Sequence, residues 1–72
     1  MKVREIIFVI EDDPEGGYSA RALGHGIFTQ GDTIEELKQN IRDALGCHFD
    51  NADDIPAIVR LHIVREETFA YA

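Results

Sequence analysis

Four carboxylates crowd five positions in Glu11-Asp12-Asp13-Pro14-Glu15. Such a run can hold a divalent cation, or it can meet a basic partner. A cation site needs oxygens converging on one point. Consecutive residues of a tight turn mostly diverge, and the D-x-[DN]-x-[DN]-G spacing of a calcium loop is absent. Contact with a basic surface remains, beside the plain reading of a solvated turn. The candidate partner-binding residues are Asp12, Asp13 and Glu15, with Tyr18 just beyond them.

The nucleophilic residue types carry less. Cys47 is the only cysteine, and it stands next to His48. Neighbours on a helix do not face each other, so the two cannot meet as a nucleophile and base. His25, His48 and His62 have no zinc-ligand spacing. Gly16-Gly17 and Gly24-x-Gly26 read as tight turns, because neither opens a helix with a phosphate-loop fingerprint. No metal, cofactor or catalytic set is expected, and the chain reads as a binding protein, not an enzyme.

A chain of 72 residues makes one domain, spanning 1–72. At this size the core is small, and oligomerisation is a common support for it. A homodimer or tetramer is therefore expected. Fourteen acids against seven bases leave a net charge of −7. That charge opposes direct binding to a phosphate backbone and favours a basic partner. The apolar run Ile6 to Ile10 is too short for a signal-peptide core or a membrane span. A lone cysteine suits a reducing compartment, so a soluble cytoplasmic protein is expected, with no membrane association.

The elements that must position these residues follow from periodicity. Val3 to Glu11 reads as a strand with Ile6, Phe8 and Ile10 on one face and Val3, Ile7 and Val9 on the other. Apolar centres on both faces predict an interior strand covered on both sides. Pro14, Gly16 and Gly17 close a hairpin. Tyr18 to Leu23 is a second strand whose alanines permit close approach, and Ile27 to Gln30 is a third. Thr33-Ile34-Glu35-Glu36 is a capping box, opening a helix to about Phe49. The helix stripe is Ile34, Leu37, Ile41, Ala44, Leu45 and His48. A polar loop from Asp50 to Pro56 leads into a last strand, Ala57 to Phe69, with Arg60, His62 and Glu66 opposite Val59, Leu61 and Ile63. Right-handed crossover sets that strand parallel to the first and beside it. The fold class is α+β, in the order β-β-β-α-β: a four-stranded mixed sheet with one helix on one face. The other face awaits a second subunit.

The stretch Asp13-x-Glu15-Gly16-Gly17-Tyr18-x-Ala20, followed by Gly26-Ile27-x-Thr29-Gln30-Gly31-Asp32-Thr33-Ile34-Glu35-Glu36-Leu37 and Asn40-Ile41-x-Asp43-Ala44-Leu45, resembles the HicB-like antitoxin family over nearly the whole chain. The resemblance implies a partial ribonuclease-H-like fold without the acidic catalytic set of a true nuclease. It implies an antitoxin of a type II toxin–antitoxin pair that covers a small basic, mRNA-cleaving, HicA-like toxin. Longer members add a C-terminal DNA-binding domain. This chain stops before one, so direct operator binding is not expected. The motif residues take structural roles: Gly17 and Gly31 in turns, Thr33 and Glu36 in the helix cap.

Two other readings stand beside it. A divergent metal-dependent nuclease of ribonuclease-H type would need carboxylates on the central strand, where Ile7 and Val9 stand. A homo-oligomeric adaptor would bind some other protein.

Overall fold

The apolar run near the start makes the central strand. In the computed structural model, which describes residues 5–65 and 67–71, the elements are β1 (Glu5–Asp12), β2 (Tyr18–Ala22), β3 (Phe28–Gly31), α1 (Ile34–His48) and β4 (Ile58–Ile63), with a short 3₁₀ turn at Ala52–Asp54. The sheet order is β3-β2-β1-β4. The pairs β1–β2 and β2–β3 are antiparallel, and β1–β4 is parallel. The sheet is therefore mixed and the fold α+β, as the periodicity predicts. Val3, assigned to the first strand from its pattern, lies outside the described residues.

Alternation along β1 decides what is buried. Ile6, Phe8 and Ile10 are buried; Ile7 and Val9 on the opposite face are only half-buried. The register sets Phe8 beside Ala22 and Ile10 beside Ala20. These small side chains leave room for α1, whose Leu37, Ile41 and Leu45 close the core with Ile27.

Among the described residues the second face of β1 has no layer over it, and Leu23, Phe28 and Ile58 are exposed; the second subunit expected to cover it is not part of a single chain. By register Phe28 and Ile58 share that face with Ile7 and Val9. A single chain has only one helix to offer, and α1 takes the other side.

Even there the roof is partial. Val59, Leu61 and Ile63 share the inner face with Ile6, Phe8 and Ile10. Yet Val59 is 38 % exposed and Ile63 57 %. The cause is width. Four strands spaced about 4.8 Å apart put the outer two about 14 Å from each other, and one helix is about 10–12 Å across. The helix sits toward β3, so β4 is left at the margin.

Two further expectations are corrected. The last strand ends at Ile63, not Phe69. Its neighbour is β1, and after Ile63 pairs with Ile10 only the Val64 N–H still donates to the Ile10 carbonyl, at 2.8 Å. β1 itself continues to Asp12, pairing with β2 through Glu11 and Asp12, while Val64 and Arg65 leave the strand. Glu66 lies outside the described residues. His48, placed in the apolar stripe by its spacing, is exposed. It is the last residue of α1, and Phe49 after it takes the packed position against the core.

Two glycines permit the close joins. Gly17 has φ +79°, and a Cβ there would lie 2.6 Å from the Gly31 carbonyl oxygen. A Cβ on Gly31 would lie 2.7 Å from the Leu37 nitrogen and 2.9 Å from its Cα. Gly31→Ala must push β3 off the helix start and costs about 2 kcal/mol or more. Gly46→Ala, whose Cβ meets nothing within 4 Å, raises helix propensity and stabilises by about 0.5–1 kcal/mol. Urea unfolding of the two variants is expected to move the midpoint in opposite directions.

Candidate functional site

The hairpin joining β1 and β2 and the start of α1 form one end of the slab. Asp12 pairs with Tyr18, and Tyr18 pairs with Gly31 on its other side. Gly31 leads through Asp32 to the cap residue Thr33. The backbone at Gly17 approaches Asp32 so closely that a Cβ would sit 3.1 Å from its Cα. The carboxylates of the hairpin and of the first helical turn are thereby gathered at one end. Glu11, Asp12, Glu15, Asp32, Glu35 and Glu36 are all exposed there.

The structure sorts the four predicted contact residues. Asp12 and Glu15 are exposed at the tip. Asp13 is half-buried, and its Oδ1 accepts the Glu15 backbone N–H at 2.9 Å. Its own N–H donates to the Gly17 carbonyl at 3.0 Å, and its carbonyl accepts from Gly16 at 2.9 Å. Asp13 therefore shapes the turn, which aspartate does by mimicking a backbone acceptor. Tyr18 is half-buried and packs against the core, so it anchors the hairpin more than it displays a contact.

Thr33 caps the helix as the motif predicts, while Glu36 reaches one residue further back, to Asp32 in place of the N-cap N–H. The Glu36 N–H donates to Thr33 Oγ1 at 3.0 Å, and Glu36 Oε1 accepts the Asp32 N–H at 2.6 Å. Thr33 and Glu36 thus satisfy donors that a helix start leaves open. Glu35 is 3.7 Å from Lys38, and the positive helix end favours these acids where they stand.

Sequence reasoning missed three features. Asn40 Nδ2 donates to the Gln30 carbonyl at 2.6 Å, tying α1 to β3. Arg60 Nε donates to Glu5 Oε2 at 2.7 Å across the β1–β4 pair; the facing register of those strands was the signal. His25 and His48 meet at the opposite end of the slab, ring centroids 5.8 Å apart, with Phe49 4.9 Å from His48. Nothing local in the sequence joins a turn residue to a helix end. Among the described residues, no three metal-capable side chains gather.

A UPF0150 protein of Archaeoglobus fulgidus is 48 % identical over 52 residues, covering 72 % of this chain and 77 % of that protein. A UPF0150 protein of Thermotoga maritima is 42 % identical over 67 residues, 93 % of each chain. This chain belongs to the UPF0150 family. The longer match leaves five of the 72 residues outside it, so it takes in the acidic end and α1 of this UPF0150 chain. No protein-family model matches the chain, and no solved structure matches it. Among the described residues, no helix is long and apolar enough to cross a membrane.

The division of labour within the hairpin is testable by stability. Asp13→Ala removes the acceptor for the Glu15 N–H and is expected to cost about 1 kcal/mol. Asp12→Asn with Glu15→Gln, both exposed, is expected to leave the urea midpoint unchanged or slightly raised, because like charges are diluted. Equal losses in both variants would contradict the separation of turn former from contact residues.

Proposed function

We propose that this UPF0150 chain acts as an antitoxin, occupying the surface of a small basic, mRNA-cleaving, HicA-like toxin. The observation that carries this reading is the acidic end, where Glu11, Asp12, Glu15, Asp32 and Glu35 stand exposed on two adjoining elements. A toxin that binds RNA needs a basic surface. Gathered carboxylates steer such a surface into encounter and set its orientation. Once docked, the rigid hairpin and helix end block the path of RNA by bulk. The HicB-like pattern that runs from Asp13 to Leu45 supports the same reading.

The central strand favours binding over nuclease chemistry. Its inner positions are Ile6, Phe8 and Ile10 and its outer ones Ile7 and Val9. A two-metal nuclease places carboxylates on such a strand to bridge its ions. Aliphatic side chains on both faces serve packing.

The test uses the product of the neighbouring reading frame as toxin. The antitoxin is expected to stop its cleavage of mRNA at stoichiometric ratio. Asp12→Asn/Glu15→Gln is expected to lower the association rate several-fold at low salt and to flatten its dependence on ionic strength, with dissociation little changed. An association rate and salt dependence equal to wild type would refute the acidic end as the docking site. Cleavage that continues at excess antitoxin would refute the function.

A further inference from the structure

Between α1 and β4 runs a groove of about 300 Å³, lined by Lys38, Ile41, Arg42, Ala57, Val59 and Leu61. Its floor is apolar and its helix side carries two cations. Next to it β4 is an edge strand, so one row of its backbone N–H and C=O groups is unpaired by the sheet. An edge of this kind accepts another extended segment.

The chain itself contains a segment that fits. Past β4 the sequence runs Val64-Arg65-Glu66-Glu67-Thr68-Phe69-Ala70-Tyr71. Residues 67 to 71 have no helix or strand assignment. Phe69 is 89 % exposed and Tyr71 fully so. Two aromatic side chains at alternate positions belong on one face of a strand. Glu67, two positions before Phe69 and on the same strand face, complements Lys38 and Arg42.

This segment is poorly suited to fill the groove of its own chain. It leaves β4 beyond Ile63, whereas the groove lies along Ala57 to Leu61. To return, the chain must reverse within Val64 to Thr68. That stretch has no glycine, proline, asparagine or aspartate to make a tight turn.

We infer that the tail of a second copy lies along β4 and sets Phe69 and Tyr71 into the groove, and that the exchange is reciprocal across a two-fold axis. Each copy supplies one tail and one groove, the self-complementary arrangement of a closed dimer. Lys38 and Arg42 meet Glu67 of the incoming tail, which shares a strand face with Phe69 and Tyr71. The inference does not rest on the antitoxin reading, although the two surfaces adjoin: Lys38 of the groove also lies 3.7 Å from Glu35 of the acidic end.

Light scattering on the full chain at tens of micromolar is expected to give a dimer. Phe69→Ala/Tyr71→Ala, and a chain ending at Val64, are expected to give monomers with unchanged circular dichroism, since both aromatics are exposed in the single chain. A trap in the full-length chain guards against misfolded variants. Cys47→Ser/Ile58→Cys is mixed with Cys47→Ser/Ala70→Cys, both new thiols lying on the sheet face away from the groove, and oxidised, with a disulfide-linked mixed dimer expected. A monomeric full chain, a dimer that survives loss of the tail, or no mixed disulfide dimer would each overturn the inference.

Discussion

A helix about 10–12 Å across cannot roof four strands, and most of what distinguishes this chain follows from that shortfall. Placed over Ala20 and Ala22, α1 closes a core of Phe8, Leu37, Ile41 and Leu45 that is small even for 72 residues. The remaining apolar surface divides in two. One part is the margin of β4, at Val59 and Ile63; the other is the open sheet face, at Phe28 and Ile58. A larger protein would spend a second helix on either. Here both stay exposed in the single chain, and the tail exchange we infer would cover the first.

The same economy concentrates charge. Three backbone segments converge where the β1–β2 hairpin, the end of β3 and the start of α1 meet, and Gly17 and Gly31 are the residues that let them touch. Because the helix begins there, its positive end stabilises Glu35 and Glu36. Acids are tolerated in number at that end, with packed aliphatic side chains behind them; in the function we propose they are what a basic partner meets first.

Much of this was legible in the sequence. The alternation of Ile6, Phe8 and Ile10 identified the inner face of β1, and Thr33 with Glu36 identified the helix start, because both signals are local. The parallel placement of β4 followed from handedness alone. What escaped was set by tertiary position. β4 stops at Ile63 although β1 continues to Asp12, and no residue between Val64 and Phe69 announces it. His48 has the spacing of a core residue, but it is exposed at the helix end and Phe49 packs in its place. Asp13 looks like its acidic neighbours, yet the turn claims its carboxylate. The meeting of His25 with His48 needed both ends of the fold in place.

The central claim is that the layer over β4 is completed only by association. Hydrogen exchange followed by mass spectrometry, across a dilution series of the full chain, tests it most directly. The account predicts slow exchange in β1 and α1 at every concentration, with β4 and residues 67–71 gaining protection together as concentration rises. A tail that exchanges freely at the highest concentration, or a β4 as protected in the most dilute sample as in the most concentrated, would contradict it.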